Sequence, residues 1–155
     1  MSKIKQLKIC VVASPGGHLT QVLSISRAWE KYSAFYVSTS PTVASSLSKR
    51  GRFYIIEESG RGRFLRTFKC FAQCFKIVLK EKPDVIISGG SGCGSFLCII
   101  GKMFGSRSVW LDSIANLDRM SLSGRITRPF VDLCIVQWPR HVNRHRNVEY
   151  WGKVI

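Results

Sequence analysis

Leu7-Lys8-Ile9-Cys10-Val11-Val12-Ala13 runs straight into Ser14-Pro15-Gly16-Gly17-His18-Leu19. The first part is a short, β-branched apolar run. The second is a glycine turn that opens a segment with near-helical apolar spacing at Leu19, Val22, Leu23, Ile25, Ala28 and Trp29. This predicts a buried strand, a tight turn and a helix. The order recurs further along, where Asp84-Val85-Ile86-Ile87-Ser88 stops at Gly89-Gly90-Ser91-Gly92-Cys93-Gly94 and residues 95–104 again read as helix. Such strands are apolar throughout and do not alternate, which suits a parallel sheet covered on both faces.

The rest of the chain follows the same alternation. Strands are predicted at 34–38, 53–56, 107–111 and 131–137, and helices at 41–49, 64–81 and 121–129. Residues 57–63 read as a loop, and residues 138–155 are basic and less regular. The fold class is therefore α/β, a Rossmann-like, doubly wound parallel sheet, with residues 1–155 as a single domain. In such sheets ligands bind outside the carboxyl ends of the strands. Both glycine turns lie there.

Composition narrows the function. Apolar residues make up 45%, enough for a core, so wholesale disorder is excluded. Lys and Arg total 24 against 9 Asp and Glu, a net charge of +15. That excess implies an anionic partner: nucleic acid, an acidic membrane surface or a phosphorylated ligand. The longest uncharged apolar runs hold about five residues where a bilayer-spanning helix needs roughly 20. The basic start at residues 1–8 leads into a strand and does not read as a signal peptide, so a cytosolic location is expected. Cys10, Cys70, Cys74, Cys93, Cys98 and Cys134 sit mostly in apolar stretches without a C-x-x-C pair, and read as buried thiols with no metal site.

Four places can carry chemistry. At the first turn, Gly16 and Gly17 let a ligand approach the backbone, and the following helix N-terminus suits a phosphate or diphosphate. His18 stands at its mouth, where an imidazole can serve as general base; the plainer reading is a tight turn with a surface histidine. At the second turn, Gly89, Gly90, Ser91 and Gly92 offer another ring of backbone N–H groups, or simply a structural turn. Ser95 stands where a dinucleotide fingerprint needs its third glycine, and no Walker lysine follows. Asp112 falls at a strand's carboxyl end, placed to accept a proton, to bond a sugar hydroxyl, or to cap a turn. In Phe64–Glu81, Phe64, Phe68, Phe71, Phe75, Val78 and Leu79 share one face, while Arg66, Lys69, Lys76 and Lys80 lie on the other side, with Arg61 and Arg63 upstream. That is either a core helix with solvated lysines or an interfacial helix on anionic lipid. The basic run at residues 140–146 comes without a nucleic-acid-binding signature and reads as a solvated or protein-contact face.

Four segments together resemble a known family: Ser14-Pro15-Gly16-Gly17-His18-Leu19-Thr20-Gln21, Lys82-Pro83-Asp84-Val85-Ile86-Ile87-Ser88-Gly89-Gly90, Leu122-Ser123-Gly124-Arg125, and Val131-Asp132-Leu133-Cys134-Ile135-Val136-Gln137-Trp138-Pro139. Their order resembles the acceptor-side half of split GT-B glycosyltransferases. These include PssD-type exopolysaccharide and capsule proteins and the membrane-side subunit of the dolichol-diphosphate N-acetylglucosamine transferase. Both are similar to the MurG N-terminal domain. The resemblance implies a GT-B N-terminal-type, acceptor-binding domain that is active only with a second small subunit carrying the nucleotide-sugar site.

It further implies a UDP-sugar donor and a polyprenyl-diphosphate-linked sugar acceptor, with no cofactor on this chain alone. The implied location is peripheral, on the cytoplasmic face of the membrane, with no nucleic acid as partner. Gly16, Gly17, Gly89, Gly90, Ser91 and Gly92 would then take the acceptor diphosphate. Arg61, Arg63, Phe64, Arg66, Phe68 and Lys69 would touch the membrane, and His18 or Asp112 would be the base. Pro15 before the glycines, aspartate at 112 where glutamate is common, and the lack of an N-terminal anchor depart from the eukaryotic pattern and favour the bacterial branch. Without the resemblance, the competing readings are a basic nucleic-acid-binding module and a stand-alone nucleotide-binding domain.

Overall fold

Continuous apolar strands pair in parallel here, as their composition demands. In the computed structural model, which describes residues 6–60, 62–142 and 146–154, the strands are β1 (Lys8–Val12), β2 (Ser33–Ser38), β3 (Arg52–Ile55), β4 (Val85–Ser88), β5 (Arg107–Leu111), β6 (Leu133–Val136) and β7 (Val148–Tyr150). The helices are α1 (Gly17–Ser24), α2 (Ala44–Ser48), α3 (Phe64–Glu81), α4 (Gly92–Met103) and α5 (Leu122–Thr127). One seven-stranded sheet runs in the order β3-β2-β1-β4-β5-β6-β7, parallel at every step. The chain builds outward from β1 to β3, then returns to lay β4 on the other side of β1. The turns after β1 and β4 therefore diverge and leave a crevice at the carboxyl edge.

Strand side chains alternate between two cores. Cys10, Val12, Phe35, Val37, Ile86, Trp110 and Cys134 face α3 and α4, while Ile9, Val11, Tyr36, Ile87, Leu111 and Ile135 face α1 and α2. This confirms the doubly wound, Rossmann-like reading.

The differences from expectation are local. The first helix stops at Ser24, whose hydroxyl donates to the Gln21 carbonyl, and the chain continues as a 3-10 turn at Ser26–Ala28. α4 begins at Gly92, so Gly92 and Gly94 are helical residues and not part of a loop. β7 adds a strand in the segment expected to be irregular; three residues are too few for a periodic signal. In α3, Cys70, Cys74, Ile77 and Val78 are buried, while Phe64, Phe68, Phe71, Phe75 and Leu79 are exposed. Apart from Val78, the phenylalanine face is thus not the core face.

Glu81 ties the end of α3 to the sheet. Its buried carboxylate accepts from Arg52 (2.6 Å), Lys8 (3.3 Å) and the Tyr54 hydroxyl. Burial alone would raise this carboxyl, but the bonds from Tyr54, Arg52 and Lys8 outweigh it and hold it at about 2. A depressed carboxyl contributes stability that is full above the unfolded value, roughly 4.3, and is lost as pH falls through the folded one. Urea midpoints should therefore drop between about pH 4.5 and pH 2. Glu81→Gln should cost about 1–3 kcal/mol at neutral pH, because the buried amide accepts less well than the carboxylate from the donors that converge on it, while the partly exposed Arg52 and Lys8 turn to water. It should also flatten that acid dependence, leaving the share from Asp132, likewise held at about 2. An unchanged pH profile in the variant would contradict this role.

Candidate functional site

β1 and β4 lie side by side, with Val12 opposite Ser88, and Gly89 N–H continues the ladder to the Val12 carbonyl at 2.9 Å. Immediately beyond, the two chains part. α1 starts at Gly17 behind Gly16, whose φ of 89° suits glycine, and no side chain among the described residues caps the helix. Pro15, Gly16 and Gly17 are exposed. The first intrahelical backbone bond is Thr20 N–H to the Gly16 carbonyl (3.1 Å), so the N–H groups of the first turn face the edge with no acceptor among the described residues. That is a place for an anion, with the helix dipole in support.

His18 reaches from this turn to β4. Its Nδ1 is 2.7 Å from the Gly89 carbonyl oxygen. A carbonyl only accepts, so Nδ1 carries the proton, and the Nε2 of a neutral ring keeps its lone pair. Nε2 has no hydrogen-bond partner among the described residues. The ring is thus oriented by one nitrogen and open at the other, the arrangement a general base needs.

The glycines of the second turn make this contact possible. A Cβ on Gly90 would stand 2.8 Å from Nδ1 of His18, and its φ of 107° is itself a glycine conformation. A Cβ on Gly89 would meet the His18 carbonyl oxygen at 2.8 Å. One on Gly92 would overlap the Ser59 hydroxyl at 2.0 Å, so the loop after β3 closes onto the head of α4. Ser91 sits at φ 88°, ψ 161°, a region that suits glycine and strains other residues by about 1–3 kcal/mol. Its hydroxyl lies 3.0 Å from the Cys93 sulfur. Burial pushes the Cys93 thiol up to about 11, so it is not a thiolate nucleophile at neutral pH.

Asp112 is placed differently from the expectation of a base. It is 2% exposed, and both oxygens are engaged. Oδ1 accepts from the Ser121 hydroxyl (2.8 Å) and Trp110 Nε1 (3.5 Å), while Oδ2 accepts from Asn116 Nδ2 (3.3 Å) and Ser121 N–H (3.4 Å). A carboxylate surrounded by donors and shielded from the crevice is a clasp on the 113–121 loop. The glycine of Leu122-Ser123-Gly124-Arg125 serves the same clasp, since a Cβ there would meet Asp112 Oδ1 at 2.9 Å.

Two glutamines escaped the sequence reading. Gln21 Oε1 accepts from Gln137 Nε2 (2.7 Å) and Ile114 N–H (3.2 Å), and Gln137 Nε2 also donates to the Asp112 carbonyl (3.1 Å). Both are buried, and together they lock α1, the loop after β5 and the end of β6 behind His18. The available signal was a polar residue at an apolar position: Gln21 beside Val22 on the inner face of α1, and Gln137 closing an apolar strand.

Among the membrane-contact candidates, Arg61 lies outside the described residues. Phe64 and Leu65 are each 82% exposed and Phe68 is 65% exposed, with Arg63 and Arg66 beside them. Lys69 is paired with Glu57 at 2.6 Å. Lower on α3, Phe71 packs edge-on to Phe96 and Phe75 to Phe104, so the projecting apolar surface concentrates at the start of the helix. That start follows β3 and lies at the same edge as the glycine turns. A cavity of about 400 Å³ lined by Arg27, Trp29, Glu30, Tyr36 and Arg50 lies at the opposite, amino edge and does not meet them. No group of three or more His, Cys, Asp or Glu side chains among the described residues is arranged to hold a metal ion.

The chain is similar to known proteins in sequence and in fold. The family described as "Oligosaccharide biosynthesis protein Alg14 like" matches residues 54–154. The chain is 28% identical to the UDP-N-acetylglucosamine transferase subunit ALG14 of Yarrowia lipolytica, over 96% of this chain and 81% of that one. It is 26% identical to the Mus musculus subunit of the same name, over 97% and 84%. Among solved structures, Acinetobacter baumannii MurG superposes with a TM-score of 0.78 at 11% identity. That match covers 96% of this chain and 46% of MurG, so the chain spans about half the length of that protein.

Proposed function

The chain belongs to the Alg14-like family of oligosaccharide biosynthesis proteins, and on that footing we propose that it is the acceptor-side subunit of a two-chain glycosyltransferase. Its partner supplies the lobe that holds the nucleotide sugar, and the crevice between them is the active site. The donor is UDP-N-acetylglucosamine, by analogy with the named relatives. The acceptor is a polyprenyl-diphosphate-linked sugar. An exopolysaccharide or capsule product rests on the resemblance of the sequence alone; the family's description favours oligosaccharide assembly.

The observation that carries this reading is the bond from His18 Nδ1–H to the Gly89 carbonyl, which presents Nε2 at the crevice. The acceptor hydroxyl oxygen attacks the anomeric carbon of the donor. The bond from that carbon to the diphosphate oxygen breaks, UDP leaves, and the hydroxyl proton passes to Nε2. The acceptor diphosphate lies on the unused N–H groups at Gly17 and His18, beside the Gly89–Gly92 turn. Asp112 does not touch the reacting atoms; it positions the loop that backs them.

The acceptor is held at a bilayer by its polyprenyl chain, so the subunit must dock there. No helix among the described residues is long and apolar enough to cross a membrane. The exposed start of α3 supplies peripheral attachment: Phe64, Leu65 and Phe68 enter the headgroup boundary while Arg63 and Arg66 meet anionic lipid. Flotation with phosphatidylglycerol vesicles tests this. Replacing Phe64, Leu65 and Phe68 by Ser should release the protein at every salt concentration, because exposed residues are lost without harm to the core. Arg63→Gln with Arg66→Gln should weaken binding most at low salt, where charge is least screened. Undiminished flotation of both variants would show that α3 does not face the membrane.

A further inference from the structure

Two stretches singled out in the sequence take no part in the chemistry above: the arginine of Leu122-Ser123-Gly124-Arg125, and Arg140 with His141 at the start of the basic run, of which 143–145 lie outside the described residues. The fold brings them together. Arg119 from the loop after β5, Arg125 from α5, Arg128 from the turn that follows it, and Arg140 with His141 from the turn after β6 line one cavity of about 400 Å³. That volume lies within the range of small-ligand sites, roughly 300–1,000 Å³.

The cavity is cationic and underpaired. Some cations elsewhere have a carboxylate: Lys8 and Arg52 share Glu81, Lys69 has Glu57, and Lys102 and Arg107 share Asp132. Here the lining carboxylate is Asp118, whose side chain is 95% exposed and stands 3.6 Å from Arg140. Arg119, Arg125 and Arg128 have no carboxylate partner among the described residues. Guanidinium groups gathered around a concavity repel one another unless an anion joins them. His141 adds a second, independent sign: both its ring nitrogens are shielded from solvent and have no hydrogen-bond partner among the described residues. A neutral imidazole carries one N–H, and an unmade bond at a shielded donor is unfavourable. Small local adjustment toward an anion oxygen in the cavity would satisfy it.

We propose that Arg119, Arg125, Arg128 and Arg140 form a binding site for a diphosphate group, separate from the glycine turns. Guanidinium forks take phosphate oxygens two at a time, which suits a diphosphate better than a carboxylate. The site lies on the carboxyl side of β5 and β6, on the same edge as the turns after β1 and β4. Strands in a sheet are about 4.8 Å apart, so the two anion sites stand on the order of 10 Å from each other along the edge. A transfer in which donor and acceptor each carry a diphosphate has a use for both. That use rests on the proposed transferase reading; the site itself does not.

Calorimetric titration of the full chain with inorganic diphosphate at low ionic strength tests the proposal. Wild type should bind, and Arg125→Gln with Arg128→Gln should weaken binding about 100-fold, roughly tenfold per guanidinium. Arg119→Gln with Arg140→Gln, on exposed residues, should do the same and guards against a folding defect in the first pair. Lys31→Gln with Lys49→Gln removes the same charge elsewhere and should leave affinity within a few-fold. An equal loss in that control, or unchanged binding in both arginine pairs, overturns the site. UDP provides the second arm. Tighter binding of UDP than of inorganic diphosphate assigns the site to the donor; equal binding assigns it to the lipid acceptor. Capture of phosphatidylglycerol vesicles through these arginines, with neither soluble probe bound, makes them a lipid contact and contradicts the proposal. A chain that binds diphosphate here but transfers no sugar with its partner keeps this site and loses the transferase reading.

Discussion

His18→Ala should lower kcat of the assembled enzyme by about 10²–10⁴-fold, the usual contribution of a positioned general base. The loss should fall on kcat and leave partner binding intact, because the imidazole contributes one bond to the fold, to the Gly89 carbonyl. Loss of that bond is worth roughly 1 kcal/mol, too little to unfold the chain. Asp112→Asn makes the informative contrast. The amide can no longer accept from all four donors that surround the carboxylate, so stability should fall by about 1–3 kcal/mol and the loop at 113–121 should loosen. Turnover should fall less steeply than in the histidine variant. Steady-state kinetics and thermal melts on both variants separate the roles. If Asp112→Asn abolishes turnover while His18→Ala stays within a few-fold of wild type, the aspartate is the base and the histidine holds the diphosphate.

The parts of the fold that were legible in the sequence are those with a long or repeated signal. The first strand, its glycine turn and the start of the helix declared themselves, because an apolar β-branched run and a helical spacing differ in period; the spacing ran on through Trp29, past the helix end at Ser24. The bounds of α3 were equally clear, with Pro83 closing the pattern. Its orientation was not. Phenylalanine and cysteine are both apolar, and periodicity cannot rank two stripes that each repeat every three to four residues. Packing decided the matter. Cys70 and Cys74 are small enough for α3 to lie close over Cys10 and Val12, while the phenylalanine rings project past the sheet. The exposed Phe64 and Phe68 are therefore a better membrane candidate than a shared stripe suggested.

The site was legible as a location and less so as a set of roles. Both glycine turns were expected at the carboxyl edge, and both are there. Composition does not say why a glycine is present. Gly90 yields to the imidazole of His18, Gly92 to Ser59, and Gly94 to the Ser88 hydroxyl, which a Cβ would approach to 2.1 Å. The first two are packing demands between segments far apart in the chain, and the third is set by how the turn folds back on its own strand. Asp112 occupies the predicted strand end, but its donors come from Asn116 and Ser121, and only the fold shows that they saturate it. The Gln21–Gln137 bond joins residues too distant in sequence for any local pattern to connect.

The claim on which the rest depends is that this chain is one lobe of a two-lobed transferase. The direct measurement follows labelled sugar from UDP-N-acetylglucosamine to a polyprenyl-diphosphate sugar in vesicles. It is made with this chain alone, with the small nucleotide-sugar-binding protein alone, and with both. A single GT-B lobe carries half of the crevice, so each chain alone should give no turnover above the uncatalysed background, and the pair should give sustained transfer. Robust transfer by this chain alone would contradict the claim, as would a stable complex of the two that transfers nothing.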